Sequence, residues 1–374
     1  MDRQRNKLPE YNRYSLDNYM MPIWGNGIVY NESVMFVPNP VTGAIDPAPL
    51  LYKPDKIFSV FSADYVKQYI EGKDYIVEDF CLRLTHDGSI PVWHYNDYYL
   101  PQPASIPISS VNAPGRFVLY ADGSVFSRMQ LAVTYSHTDV WEGEKPEYAG
   151  DKLINTVMKL QKKEPLLIVY FGDSIVEGCE ASGRNMIRPY MPVFTEMVTE
   201  KLRIVYGYQA ITEKNMAVGG KDSEWGKRNA GKYVADYAPD LVVIGFGMND
   251  SGANITVNEY EQNIRSIIET TRFKNPKAEF ILISPSIPNP DCQGWTNLQP
   301  QYQTGLENIV RDMEGTAIAP VTKVQAYLLR RKRYEDMNGN GVNHPNDFFA
   351  RIYAQTVARC LIPENTEVND LKAV

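Results

Sequence analysis

Beyond residue 165 the chain alternates apolar runs of strand length with amphipathic stretches of helix length, and no other feature narrows its fold so far. The runs fall at 166–171, 209–218, 241–247, 278–286 and 316–321, and segments such as VNEYEQNIRSIIETTRF lie between them. Strands that read as near-continuous apolar runs are covered on both faces, so the pattern predicts a parallel sheet between two layers of helices, an α/β/α arrangement. In such sheets ligands bind beyond the carboxyl ends of the strands. The first run, LLIVYFGDSIVEG, stops at Gly172 and delivers Asp173 and Ser174 to that edge.

The first 150 residues have a different texture. GIVYNESVMFVP, KIFSVFSAD, DYIVEDFCLRLTH and RFVLYADGSVFSRMQLAVTYSH are short β-rich runs separated by Pro, Gly, Asn and Asp. They predict an all-β sandwich or jelly roll over residues 1–150, ahead of an α/β domain over 151–374. The polar segment EGEKPEYAGDKLINT, with Pro146 and Gly150, reads as the linker.

Charge and composition exclude several classes of partner. Among 374 residues, 45 acidic side chains outnumber 38 basic ones for a net charge of −7, and the basic residues are scattered apart from LLRRKR. Nucleic acid is therefore not an expected partner. No window approaches the roughly 18 consecutive apolar residues of a membrane span, so no membrane partner is expected. The polar start lacks a signal-peptide core, which predicts a cytoplasmic protein, or a secreted one if a leader has been removed. Cys81, Cys179, Cys292 and Cys360 are widely spaced and form no CxxC pair, so neither a zinc site nor a disulfide framework is indicated. The sequons at Asn31 and Asn254 stay unused in a cytoplasmic chain. The oligomeric state is not legible.

Four short blocks carry the chemistry. Ser174, at a strand-to-helix turn, is a candidate nucleophile, but a serine hydroxyl is inert without a base. His86, His94 and His137 precede the α/β region, which leaves His344, in NGNGVNHPND, as the base within it. NMAVGGKDS brings Gly219 and Gly220 to the same edge, where a bare backbone can approach a ligand, and VVIGFGMNDSG brings the Asn249 amide. A serine, a glycine N–H, an asparagine amide and a histidine amount to nucleophile, oxyanion hole and base for acyl transfer. Taken singly, each has a plainer reading: Ser174 and Asn249 as helix caps, the glycines as a turn, His344 as a loop residue.

GDSIVEG, AVGGKDS, GMND and NHPND, in that order, resemble the blocks of the SGNH, or GDSL, hydrolases over about residues 166–362. The resemblance implies a three-layer α/β/α fold and ester hydrolysis without metal or other cofactor. It further implies Ser174 as nucleophile, His344 as general base, and Gly220 and Asn249 as oxyanion donors beside the Ser174 N–H. With a β domain in front, the layout is similar to certain carbohydrate esterases that remove acetyl groups from plant polysaccharides, so the expected substrate is a small-molecule or oligosaccharide ester. A lipid or phospholipid acyl hydrolase and an inactive carbohydrate-binding protein are the alternative readings.

The sequence departs from the family at one point. The family usually has Asp three residues before the histidine; here that position is Gly341, and a one-residue insertion brings only Asn340 there. The third member of a triad is thus unassigned, with Asp336 and Glu335 as neighbouring carboxylates and a backbone carbonyl as a neutral alternative. The same loop, DMNGNGVNHPND, formally matches calcium-loop spacing at Asp336, Asn338, Asn340, Gly341 and Asp347, but it has two carboxylates and no long Glu at its end. In the first half, PVWHYNDYYLPQP offers Trp93 and Tyr95 as rings that could stack on a sugar.

Overall fold

A computed structural model describes residues 15–25, 27–295 and 297–364. Its α/β part is built on five parallel strands, β10 (Leu166–Gly172), β11 (Ile211–Asn215), β12 (Leu241–Gly245), β13 (Glu279–Ile283) and β14 (Thr316–Ala319), in the order β11-β10-β12-β13-β14. Each matches a predicted run; β10 extends one residue beyond its run, to Gly172, and the other four are shorter than theirs.

Alternation along the strands decides the layers. Ile168 and Tyr170 of β10, with Leu241 and Val243 of β12, join one apolar cluster, whereas Val169, Phe171, Val242 and Ile244 join another. The first cluster is completed by the helices Phe194–Tyr206, Val321–Leu328 and Asp347–Arg359, the second by Ser223–Tyr233, Val257–Lys274 and Gln299–Asp312. Successive residues of a strand point to opposite faces, so both faces are covered and three layers result. The predicted helix at 257–273 is closed at its start by a capping box: Thr256 Oγ1 accepts from Glu259 N, and the Glu259 carboxylate accepts from Thr256 N.

The residues before 138 are rich in antiparallel strands, as expected. They form a four-stranded sheet of β1 (Gly27–Met35), β3 (Lys56–Ser62), β4 (Gln68–Tyr69) and β9 (Gln130–His137). A three-stranded sheet combines β2 (Ala48–Pro49), β5 (Tyr75–Glu78) and β6 (Cys81–Leu84), and a two-stranded one pairs β7 (Tyr99–Leu100) with β8 (Phe117–Val118). These sheets show antiparallel pairing and do not establish the expected sandwich or jelly roll. The four cysteines are free thiols, and no helix among the described residues is long and apolar enough to cross a membrane.

The two halves are knit together where it matters for the site. Val34, Val60 and Val133 belong to the same apolar cluster as Ile352 and Tyr353 of the last helix. Buried polar groups cross the seam as well: Lys332 Nζ reaches Glu32 Oε1 at 2.5 Å, Asn346 Nδ2 donates to Ser33 Oγ at 3.0 Å, and Gln130 Nε2 donates to the Asn338 carbonyl at 2.7 Å. The loop that carries His344 is therefore held from both halves.

Candidate active site

β10 and β12 are neighbours whose following connections leave on opposite sides, which makes the crevice at their carboxyl ends the natural ligand site. Their last residues, Gly172 and Gly245, are paired in register. A Cβ on Gly172 would lie 2.2 Å from the Gly245 carbonyl oxygen, so only glycine lets the strand end and the turn above it pack this closely. The short helix Ser174–Glu177 begins at once, with Asp173 as its cap.

Asp173 holds the site together. It is 2% exposed, and its carboxylate accepts from Ile175 N at 2.9 Å and from the N–H groups of Val176 and Met248. The Ser174 turn and the Asn249 segment are thus tied to one buried group. Burial raises its pKa to about 7 against the lowering effect of those N–H donors, with nearby Asp250 adding to the rise.

Ser174 and His344 come together. Ser174 is 7% exposed, and its Oγ lies 3.0 Å from His344 Nε2. Desolvation pushes the half-buried imidazole down to about 4, so at neutral pH it is uncharged and able to accept a proton. Its other nitrogen, Nδ1, is buried and meets no hydrogen-bond acceptor among the described residues.

The two remaining blocks flank the serine. A Cβ on Gly219 would lie 3.7 Å from Ser174 Cβ, which places the Gly219–Gly220 turn beside the hydroxyl, with Gly220 exposed next to it. Glu177 fixes this turn by accepting from Gly219 N at 2.9 Å, and Arg184 in turn fixes Glu177 at 2.6 Å. Asn249 donates through Nδ2 to the Lys221 carbonyl at 2.9 Å, which joins the second block to the third. An amide nitrogen has a second hydrogen to offer.

The loop of His344 folds around its own asparagines. Asn340, fully buried, accepts through Oδ1 from the N–H groups of Val342, Asn343 and His344 at 3.0 to 3.1 Å. Asn338 Oδ1 accepts from Asn340 N at 3.0 Å and from Gly341 N. Asp336 Oδ1 accepts from Met35 N at 2.8 Å, with Lys332 Nζ 3.5 Å from its Oδ2, and Asp347 Oδ1 accepts from Ser182 N at 2.9 Å. The oxygens that give the loop its calcium-like spacing are engaged by backbone N–H groups.

These bonds also show which candidates stay apart. Asp336 faces β1 and Lys332 rather than the imidazole, and the favourable charge acting on buried Glu335 is that of Arg333. Trp93 and Tyr95 are half-buried: Trp93 packs on Tyr98 and Phe126, and the Tyr95 hydroxyl donates to the Pro40 carbonyl at 2.8 Å. This aromatic cluster abuts the histidine loop through Phe126, which lies against Gly341.

Asp173 is placed at the strand edge by the sequence but given no role there, and Glu177 and Arg184 are not singled out, although a carboxylate one residue before a helix is itself a capping signal. Asp122 and Glu180 are not singled out either. One carboxylate oxygen of each and one ring nitrogen of His344 lie within 4.8 Å of one another, the set among the described residues that could hold a cation. Glu180 has its pKa raised to about 7, first by burial, and its carboxyl is hydrogen-bonded to Asp122.

The sequence model of the GDSL-like Lipase/Acylhydrolase family matches residues 170–352. No curated protein matches the chain. Among solved structures, Axe2, an acetylxylan esterase from Geobacillus stearothermophilus, is similar at 19% identity and a TM-score of 0.45, covering 53% of this chain and 95% of that one. A protein from Parabacteroides merdae described as a GDSL-like lipase is similar at 17% identity and a TM-score of 0.43, covering 53% and 97%.

Proposed function

Residues 170–352 form a GDSL-like lipase/acylhydrolase domain and the protein is an SGNH-type ester hydrolase; from that premise we propose that Ser174 is its nucleophile and His344 its general base. The observation that carries the reading is the 3.0 Å contact between Ser174 Oγ and His344 Nε2 at the carboxyl edge of the sheet. Ser174 attacks the ester carbonyl as Nε2 takes the hydroxyl proton, and the imidazolium then returns that proton to the leaving alkoxide. The tetrahedral oxygen is held by the N–H groups of Ser174 and Gly220 and by the Asn249 amide, whose bonds strengthen as charge develops. Water, activated by the same imidazole, releases the acyl group and restores the serine.

The substrate class we propose is an O-acetylated oligosaccharide or polysaccharide, or another short-chain ester. The support is the resemblance in layout to carbohydrate esterases, with a β-rich half ahead of the α/β part. The test is kcat/KM on p-nitrophenyl acetate against the decanoate ester, followed by acetate release from acetylated xylo-oligosaccharides. The acetyl ester should be preferred and acetate released. A preference for the decanoate would make the protein a lipid acyl hydrolase, and glycan binding without turnover of either ester would make it a binding protein.

A further inference from the structure

The gap at Gly341 has a physical cause. Gly341 sits at φ +89°, and a Cβ there would lie 2.0 Å from the Leu119 carbonyl oxygen and 2.8 Å from the Phe126 ring. The place where the family carries its carboxylate is filled by backbone from the β-rich half. That same backbone continues into Tyr120, Ala121, Asp122 and Gly123, and it is anchored on both sides of Asp122. Ala121 N donates to the Asn340 carbonyl at 3.1 Å, on the histidine loop itself, and Gly123 N donates to Glu180 Oε2 at 2.9 Å.

We propose that Asp122, delivered by the β-rich half, is the displaced carboxylate of the triad: a positioning residue that accepts the Nδ1–H of His344 when the imidazolium forms. This rests on the assignment of Ser174 and His344 above. Three observations meet at Asp122. It belongs to the group with a ring nitrogen of His344 and an oxygen of Glu180 in which all atoms lie within 4.8 Å of one another. His344 Nε2 is engaged by Ser174, while Nδ1 is buried without an acceptor, so the nitrogen in need of a partner is the one a triad carboxylate would serve. The carboxylate is also held from behind, by the Tyr120 hydroxyl and by the Glu180 carboxyl, which keeps its own proton up to about 7 and can donate it as a hydrogen bond.

Asp122 itself is exposed and its carboxylate lies within 4.8 Å of a ring nitrogen of His344, and catalytic hydrogen bonds commonly tighten only in the reacting complex. The charged groups that face the imidazole are Asp122 and Glu177, which favour its protonated form, and Arg184, which opposes it; Glu180 lies alongside. Among them Asp122 has the largest favourable effect. The proton stays on the imidazole throughout, and the carboxylate only orients and stabilises it.

The test compares Asp122→Asn, Glu180→Gln and Ser174→Ala by kcat/KM on p-nitrophenyl acetate as a function of pH, with the His344 imidazole titration followed by NMR. Asp122→Asn should cut the plateau of kcat/KM by on the order of 10²-fold with little change in KM. It should also move both the acid limb and the His344 titration to lower pH, because the charge that favours the imidazolium is gone. Glu180→Gln, whose amide can still donate to Asp122, should cost less. Wild-type rates in Asp122→Asn, a loss of rate with an unmoved His344 titration, or a larger loss in Glu180→Gln would each overturn the assignment. So would loss of wild-type activity in EDTA, since the cluster would then be a cation site. Full turnover in Ser174→Ala would instead sink the nucleophile reading on which this one stands.

Discussion

Replacing Gly341 by Asp restores the family's usual residue at the usual place, and the structure predicts that it damages the protein. The backbone there is left-handed at φ +89°, which costs a residue with a Cβ about 1–2 kcal/mol. The new Cβ also meets the Leu119 carbonyl oxygen at 2.0 Å, and that oxygen is backbone in a segment tied to Asn340 through Ala121. Relief therefore requires moving main chain rather than a side chain, at a cost of about 1–3 kcal/mol or more. A loss of about 2–5 kcal/mol corresponds to a fall in Tm on the order of 10 °C. Differential scanning calorimetry measures the shift, and kcat/KM at a temperature where both proteins are folded measures the chemistry. Activity should fall too, because the displaced segment carries Asp122. A Gly341→Asp protein with wild-type Tm and equal or higher activity would refute the claim that the β-rich half occupies the place of the missing carboxylate.

Two further outcomes follow from the site. Asn249→Ala should lower kcat by roughly 10²-fold or more while changing KM less, because its bond to the oxygen is strongest in the transition state; steady-state kinetics on p-nitrophenyl acetate decides, and a loss confined to KM would make Asn249 a binding group only. The pH profile of kcat/KM should stay flat from neutrality down to well below 6.5. The base must be neutral to act, and burial pushes His344 down to about 4, so protonation removes activity only as pH falls toward that value. An acid limb with its midpoint near 6.5 would show an imidazole in ordinary contact with solvent.

The α/β sheet was legible because β10, β12 and β13 are buried on both faces, so each reads as an apolar run followed by an amphipathic stretch. The proposed nucleophile and base, Ser174 and His344, could be singled out because the strand edge and the scarcity of histidines leave few other ways to build such a pair, and the structure brings the two within 3.0 Å. The acidic partner could not be singled out in this way. Asp122 lies in an irregular stretch between β8 and β9, and only the packing of one half on the other, through Ala121 to Asn340 and Gln130 to Asn338, brings it to the imidazole. Periodicity reports which face of an element is buried, not which distant loop covers it.

The calcium-like spacing at 336–347 illustrates a different limit. Asn338 and Asn340 accept backbone N–H groups two to four residues on, as short polar side chains do in tight turns. A cation loop needs the same residues for the same turns, so spacing alone does not separate the two. The aromatic segment is ambiguous for a similar reason. Trp93 and Tyr95 carry the polar tips a sugar could use, but here one ring packs on Phe126 and the other donates its hydroxyl to the Pro40 carbonyl.

The central claim, that Ser174 carries the acyl group, is tested most directly by peptide mass spectrometry after reaction with a serine-directed fluorophosphonate. One adduct per chain is expected, on Ser174, formed more slowly in His344→Ala and absent in Ser174→Ala. An adduct on another residue, or full ester turnover by a protein that takes up no label at Ser174, would contradict that claim.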